Sequence, residues 1–181
     1  MKLKSKWPVR RFFAFLGALY LFCAVTPLLF AENGTAKSES VFRIYDTATE
    51  KVRTVNDLDF LCGALPCEMA VSAPDEALKA QIIAIHTLYD RKRRENTGKD
   101  FDFTCDSAEK SIYTTDAGLT DEEQNRVRAL CLSVLDKEIY FENEPINACY
   151  FAISAGCTQP FENVWPEKSY PYLTAVACPS D

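Results

Sequence analysis

The chain has 181 residues, of which 48% are hydrophobic, 12% aromatic and 25% charged, and its net charge is −6. This length and composition predict one domain with its own hydrophobic core, and they exclude a disordered chain, a collagen and a protein with several membrane spans. The single His excludes a metal site built on two or more histidines, and the sequence has no Gly-rich loop of the Walker or dinucleotide-binding type.

The first 31 residues differ in charge from the rest of the chain. Five of the 20 basic residues lie there and no acidic residue does, so the rest holds 15 basic and 26 acidic residues. The body therefore carries a net charge of about −11, which argues against nucleic-acid binding because such binding depends on neutralising phosphates.

A run of twenty residues without charge, 12–31, follows this basic flank. It is long enough to span a bilayer and it also fits a long signal peptide, although the bulky Leu29 makes a poor cleavage site and favours an uncleaved anchor. The basic flank predicts that the body lies outside the cytoplasm. We therefore expect a single-pass protein of the cell membrane, or a secreted one if the segment is cleaved, with residues 32–40 as a flexible tether.

Seven of the eight cysteines lie in the body of the chain. Seven is an odd number, so at least one of them has no intramolecular partner. Export permits disulfides without requiring them, and the sequence fixes no pairing.

The body begins with two predicted strands and a helix. Residues 41–45 and 51–55 alternate apolar and polar side chains, which predicts a β-hairpin. Asn56 can then cap a helix that carries its leucines on one side. Those leucines are Leu58, Leu61 and Leu65.

A second helix is predicted to begin within residues 72–76, where a Pro and two acidic residues form the first turn. Its apolar residues recur at helical spacing: Leu78, Ile82, Ile85 and Tyr89. The basic run 91–94 indicates the C-terminus of this helix, facing water and complementing the helix dipole.

Residues 96–119 are predicted to be a loop, and a Thr-x-x-Glu capping box at 120–123 begins a third helix. That helix is expected to bury Val127, Leu130 or Cys131, and Val134. Residues 138–141 and 146–153, joined by a turn at 142–145, predict a second hairpin, and 170–176 predict a last strand-like segment.

These patterns together predict an α+β fold with hairpins, a small mixed sheet and about three helices, preceded by the membrane helix or signal peptide at 1–31.

Several short motifs in the body resemble one protein family. Glu68 is followed by Met69, and residues 76–81 read EALKAQ. Residues 154–158 read Ser-Ala-Gly-Cys-Thr, and Trp165 and the Tyr-Leu-x-x-Val string at 172–176 come later. In this order the motifs resemble the stage II sporulation protein D family, which includes amidase-enhancer proteins. The resemblance covers roughly residues 41–178, so 41–181 is the predicted domain.

This resemblance implies an exported, membrane-held cell-wall protein of a spore-forming or related bacterium. It implies a lytic transglycosylase that cuts the glycan strands of peptidoglycan during engulfment in sporulation, with a cell-wall amidase as a partner. The alternative is a non-catalytic peptidoglycan-binding module that stimulates the partner amidase. A weaker rival is an anchored structural protein of the spore envelope.

The resemblance assigns the family's catalytic acid to Glu68. A carboxyl between Cys67 and Met69 is expected to lie in apolar surroundings, where it can hold a proton near neutrality and deliver it to a glycosidic oxygen. Most glycosidases need a second carboxylate. A lytic transglycosylase does not, because the 6-hydroxyl of the sugar is itself the nucleophile.

Five further residues are candidates for substrate binding. Ser154, Gly156 and Thr158 combine small side chains with hydroxyl groups after a predicted strand, which suits the wall of a groove that a sugar chain approaches closely; an ordinary turn is the alternative. Lys79 and Gln81 lie on the second helix, where contact with substrate and plain exposure to water both stay open.

The sequence also departs from the family pattern. The Arg that usually follows the 76–81 string is His86, which we expect to be structural. Some members bind zinc through a loop with Cys, His and Cys; Cys105 fits this loop, but Glu109 and Lys110 occupy the other two positions. We therefore predict neither zinc nor another cofactor. The chain stops before a later Gly-His-Gly segment of the family, as expected of a fragment or of a shortened member.

Overall fold

The computed structural model describes residues 40–179. The predicted anchor or signal peptide and almost all of the predicted tether lie outside these residues. Between residues 40 and 179, no helix combines the length and the apolar character needed to cross a bilayer. The elements in chain order are β1 Val41–Asp46, β2 Lys51–Asn56, α1 Asp57–Glu68, α2 Asp75–Glu95, β3 Phe103–Cys105, α3 Asp121–Val134, β4 Tyr140–Phe141, β5 Glu144–Pro145 and α4 Phe161–Val164.

The predicted α+β class is confirmed, and β1 is the central strand of a three-stranded sheet in the order β2-β1-β3. β1 and β2 form the predicted antiparallel hairpin, with Val41 opposite Asn56. β3 lies within the predicted loop and pairs with β1 in parallel, Ile44 opposite Phe103. Alternation along β1 turns Phe42 and Ile44 into the core.

α1 begins where the sequence predicts it. The side-chain oxygen of Asn56 accepts a hydrogen bond of 2.8 Å from the backbone N–H of Asp59, which satisfies one of the free donors of the first turn. Leu61 and Leu65 are fully buried, and Leu58 packs at the edge of the core. The predicted cap and apolar face are therefore confirmed.

α2 and α3 are also confirmed, and the three long helices pack on one another. The predicted apolar residues of α2 are all buried: Leu78, Ile82, Ile85 and Tyr89. α3 begins with the capping box, in which the Glu123 carboxylate accepts from the backbone of Thr120 at 2.9 Å and the Thr120 hydroxyl accepts from the backbone of Glu123 at 3.3 Å. Its buried residues are Val127, Leu130, Cys131 and Val134.

Four aromatic rings join the sheet to α1 and α2. Phe42 of β1 lies 4.7 Å from Phe60 of α1, and Phe60 lies 5.0 Å from Tyr89 of α2, measured between ring centroids. Tyr89 lies 4.5 Å from Phe103 of β3. Such tilted pairs contribute about 0.5–1.5 kcal/mol each beyond the burial of their area. The cluster holds α1 against the sheet and α2, and so determines the position of its C-terminal end relative to the core.

The basic run ends α2 as predicted, but its arginines do not simply face water. The carboxylate of Asp90 is almost completely buried and is paired with both Arg93 and Arg94, the latter at 2.5 Å. Arg93 also donates to Asp57 of α1 at 3.0 Å. Two guanidinium groups therefore compensate a buried carboxylate that would otherwise destabilise the fold.

The predicted second hairpin is only partly correct. β4 and β5 form a tight hairpin, closed by Glu142 and Asn143 with left-handed φ values of 50° and 66°. Pro145 pairs with Tyr140, and beyond it the backbone N–H of Ile146 donates to the carbonyl of Ile139 at 3.0 Å. The strand predicted over 146–153 is wrong, since these residues have no regular structure.

The prediction of a last strand over 170–176 is also wrong, because these residues have no regular strand structure. Backbone hydrogen bonds to the loop around residue 158 hold the end of this segment in place. The backbone N–H of Thr158 donates to the carbonyl of Val176 at 2.9 Å, and that of Cys178 donates to Gly156 at 2.9 Å. The two segments therefore stabilise each other outside any regular sheet.

Candidate active site

Glu68 is the last residue of α1, and its side chain is exposed. The apolar surroundings expected from its neighbours in sequence are therefore not observed: the helix directs Leu65 into the core and Glu68 toward solvent. The hydroxyl of Tyr150 donates a hydrogen bond to the Glu68 carboxylate. This contact connects the end of α1 with the irregular segment that follows β5.

The negative charge of Glu68 acts on two tyrosines and one lysine. Burial and the negative charge of Glu68 both raise the pKa of Tyr150 and of Tyr89, so both phenols stay protonated as hydrogen-bond donors. The ammonium group of Lys92 lies 4.5 Å from the ring centroid of Tyr89. Burial lowers the pKa of Lys92, and nearby negative groups, Glu68 among them, oppose that shift.

A groove of about 520 Å³ opens beside Tyr150. Its lining is mainly aromatic and aliphatic, with a few hydroxyl and amide groups. The residues are Cys149, Tyr150, Phe151, Ser154, Cys157, Thr158, Gln159, Phe161, Val164, Trp165, Tyr172, Leu173, Thr174 and Val176. Phe161 and Trp165 stack at one side with centroids 4.5 Å apart and planes 27° apart. Trp165 is 53% exposed, so its ring is available to a ligand.

Ser154, Cys157 and Thr158 of the segment 154–158 line this groove. Sugar binding by this segment stays a prediction. Ser154 is nearly buried and lines the groove together with Thr158. The Thr158 hydroxyl accepts from the backbone of Val176 at 2.7 Å, which fixes the loop. Gly156 has a φ of +84°, and this left-handed conformation explains the glycine at the bend.

Lys79 and Gln81 do not belong to the same groove. Lys79 forms an ion pair with Glu76 at 2.7 Å near the start of α2. The side-chain nitrogen of Gln81 is buried and makes no hydrogen bond. Ten residues of helix separate Lys79 from Tyr89, which corresponds to roughly 15 Å along the axis. Neither residue is among those that line the groove beside Tyr150.

His86 is structural, as expected, and lies away from the groove. It is buried, with Nε2 3.4 Å from Asp57 Oδ2 and 3.8 Å from Glu138 Oε1. Burial acts to raise the pKa of Asp57, but hydrogen bonds from His86 and Ser40 and the charge of Arg93 outweigh it and lower the pKa. His86 thus joins α1, α2 and the segment before β4.

The loop compared with zinc-binding members contains no candidate metal centre. Cys105 is buried on β3, whereas Glu109 and Lys110 are exposed. Within residues 40–179, no group of three or more His, Cys, Asp and Glu side chains could hold a metal ion. That the protein needs no zinc nevertheless stays a prediction.

Sequence reasoning missed Tyr150 and Phe161. Tyr150 lies in a segment whose alternation predicted a strand, and nothing in that pattern distinguishes a residue that contacts Glu68. Phe161 follows Pro160, which starts the single turn of α4. That proline was the one local signal for a helical turn at the groove.

Known proteins are similar to this chain in sequence. The family model described as stage II sporulation protein matches residues 45–134. Stage II sporulation protein D of Bacillus subtilis (strain 168) is 26% identical over 148 residues, which are 76% of this chain and 43% of the relative. The protein of the same name from Bacillus amyloliquefaciens is 28% identical over 161 residues, which are 83% of this chain and 46% of the relative.

The matched range extends from β1 through α3 and includes Glu68. The chain spans less than half the length of the curated relatives it matches. The order of the motifs, the match to the family model and the similarity to both relatives agree with one another. The chain belongs to the stage II sporulation protein D family.

Proposed function

We propose that this protein binds glycan strands of peptidoglycan in the groove beside Tyr150 and cleaves them as a lytic transglycosylase during sporulation. Glu68 is the acid and then the base of this reaction. The names of the two relatives support a role in sporulation. The N-terminal basic flank and apolar run support a location outside the cytoplasmic membrane.

One observation carries this function: the Glu68 carboxyl adjoins Tyr150, which lines a groove whose lining residues include no carboxyl. Glu68 contacts Tyr150, and the groove lining within the described chain contains neither Asp nor Glu. Hydrolytic glycosidases place two carboxyl groups about the scissile bond. A site with one carboxyl suits a reaction whose nucleophile belongs to the sugar.

The chemistry needs two successive proton transfers through one carboxyl group. The Glu68 carboxyl first gives a proton to the glycosidic oxygen, and that bond breaks as the leaving sugar departs with a free hydroxyl. The carboxylate then takes the proton of the 6-hydroxyl, whose oxygen closes the anhydro ring. A glycan that covers Glu68 excludes bulk water from both transfers.

The other groups of the groove have positioning roles in this proposal. The Tyr150 hydroxyl orients the Glu68 carboxylate, as a fixed donor does for a general acid. The exposed ring of Trp165 offers a flat apolar surface to the face of a sugar ring. Ser154 and Thr158 supply the hydroxyl-bearing wall.

The substitution Glu68→Gln tests this function directly. The amide keeps the shape of the side chain but cannot transfer the proton, so release of anhydro-muramyl ends from purified glycan strands should fall by at least about 10²-fold. The thermal midpoint and sedimentation with insoluble wall should stay unchanged, because Glu68 is exposed. The control is Glu122→Gln, an exposed Glu of α3. Cleavage by Glu68→Gln at the wild-type rate would exclude Glu68 as the acid.

A second candidate is a non-catalytic wall-binding module that stimulates a partner amidase. The residue at position 86 favours this second candidate, because the chain has His86 where the catalytic family usually has an Arg. Here the residue is buried and held by Asp57 and Glu138, away from the groove. Under this alternative, the wild-type protein yields no anhydro ends, binds wall, and accelerates a purified cell-wall amidase as much as Glu68→Gln does.

The proposed location has its own test. Protease added to intact protoplasts should remove the body of the protein and leave the N-terminal segment in the membrane. A body that is protected until the membrane is dissolved would show the opposite orientation.

A further inference from the structure

A second groove lies next to the groove beside Tyr150. It has a volume of about 490 Å³, and three residues line both grooves: Phe161, Val164 and Trp165. The ring of Trp165 is 53% exposed and is supported by the stacked ring of Phe161. A ligand that rests on Trp165 can therefore extend from one groove into the other.

The two grooves differ in charge. The described residues that line the groove beside Tyr150 include no charged one. The second groove has three basic and two acidic residues in its lining, and we call it the basic groove. These residues are Arg91, Lys92, Lys168, Glu95 and Glu167. The basic groove thus has an excess of positive charge, although the body of the chain is strongly acidic.

Arg91 has a structural role in the basic groove. Its Nη1 donates to the carbonyl of Pro145 at 2.7 Å, and its Nε donates to Glu95 at 2.8 Å. Its guanidinium carbon lies 5.2 Å from the ring centroid of Tyr170. Arg91 therefore holds α2, β5 and the segment after α4 together, and the charge of Glu95 balances its own.

The two lysines of the basic groove have no such partner. Between residues 40 and 179, no carboxylate lies within 4.0 Å of the ammonium group of Lys92 or Lys168. Lys168 is exposed, and its backbone N–H donates to the carbonyl of Trp165 at 3.1 Å. This turn holds Lys168 close to the residue that lines both grooves. Two ammonium groups are therefore available to an anionic ligand.

We propose that the basic groove binds a carboxylate carried by the glycan strand whose sugar rings lie in the groove beside Tyr150. This inference rests on the function proposed above and extends it to the acidic substituents of the strand. Every second sugar of peptidoglycan is a muramic acid, which carries a lactyl group. Its carboxyl is free where the stem peptide has been removed, and elsewhere it is joined to a peptide with carboxylates of its own.

The ammonium groups of Lys92 and Lys168 form charge-assisted hydrogen bonds with either kind of carboxylate. The basic groove therefore distinguishes peptidoglycan from chitin, whose sugar rings are linked in the same way but carry no carboxyl group. Exposed ion pairs each change an equilibrium constant by about 1.5- to 5-fold. Two such pairs should favour a carboxylate-bearing strand by roughly 3- to 20-fold at low salt.

The test measures equilibrium binding of three oligosaccharides of equal length to the 181-residue chain carrying Glu68→Gln, which keeps the ligands intact. One is a peptidoglycan strand with free lactyl carboxylates, one is the same strand with its stem peptides, and one is chitin. We expect at least one peptidoglycan strand to bind roughly 3- to 20-fold more tightly than chitin, and the preference to shrink as salt is added. The strand that shows the preference identifies which carboxylate is bound.

The variant Lys168→Glu should abolish the preference and leave the Kd for chitin unchanged. Lys168 is exposed and forms no side-chain bond within residues 40–179, so the thermal midpoint should not fall. Lys92→Gln should weaken the preference by about 1.5- to 5-fold. The matched control is Lys137→Glu, which reverses the charge of an exposed lysine that lines neither groove, and it should keep the full preference.

The possible failures separate this inference from the proposed function. Equal Kd values for chitin and both peptidoglycan strands would overturn the carboxylate site and leave glycan binding beside Tyr150 intact. A preference that survives Lys168→Glu would also overturn it. If none of the three oligosaccharides binds, the glycan groove and the carboxylate site are both refuted. A preference that Lys168→Glu abolishes supports the site even if Glu68→Gln still cleaves glycan strands.

Discussion

Removal of one hydroxyl group, in the variant Tyr150→Phe, should slow glycan cleavage without unfolding the protein. The hydroxyl donates to Glu68, the carboxyl to which we assign proton transfer. The ring of Tyr150 packs at the edge of the core and is retained in the variant. Glu68 is exposed, so water replaces the lost donor and no buried group is left without a partner.

The size of the effect follows from the kind of hydrogen bond. A bond to a charged group is worth about 1.5–3 kcal/mol, and the exposure of Glu68 favours the lower end. If the bond orients the carboxylate for proton transfer, a loss of about 1.5 kcal/mol lowers kcat by roughly tenfold. KM should change little, because the aromatic surface that binds the sugar stays intact.

The chain provides a matched control for this variant. The Tyr140 hydroxyl donates to Glu138 at 2.6 Å, so Tyr140→Phe removes another bond between a tyrosine and a glutamate. Release of anhydro-muramyl ends from glycan strands should be slow for Tyr150→Phe and normal for Tyr140→Phe. Equal rates for Tyr150→Phe and the wild type would refute the positioning role, and equal losses in both variants would show a general effect on the fold.

Three further outcomes test the fold. In Gly63→Ala the new Cβ would lie 2.5 Å from the Tyr113 ring, so the free energy of unfolding in urea should fall by about 1–3 kcal/mol; a gain would contradict this packing. Thr120→Ala removes the capping box and should lower the thermal midpoint by roughly 3–5 °C, whereas no change would mean that the cap is not formed in solution. Burial acts to raise the pKa of Asp46, but hydrogen bonds, among them those from Ser107, lower it from 3.8 to about 2. The stability that Asp46 contributes is complete above the unfolded pKa and should be lost as pH falls from about 4 toward 2, a slope that urea midpoints should show for the wild type and not for Asp46→Asn.

The elements that the sequence predicts well depend on neighbours in the chain. The box formed by Thr120 and Glu123 and the apolar spacing of α2 need only one helix to be recognised. The β1–β2 hairpin likewise joins adjacent segments. Local signals therefore sufficed for most of the first two thirds of the described chain.

The features that the sequence missed depend on distant parts of the chain. β3 is three residues long and is a strand only because β1 lies beside it. The exposure of Glu68 depends on which face of α1 packs against the core. Its apolar neighbours in sequence had predicted that the carboxyl would lie in apolar surroundings. The groove combines Tyr150, the 154–158 loop and Trp165, and only the folded chain brings them together.

The central claim, that Glu68 supports cleavage without water as a nucleophile, is tested most directly by digestion of glycan strands in water enriched in heavy oxygen. The new muramyl ends should be lighter than reducing ends by the mass of one water, should contain no heavy oxygen, and should be missing with Glu68→Gln. Reducing ends that carry heavy oxygen would show that water attacks the sugar, and would contradict a lytic transglycosylase.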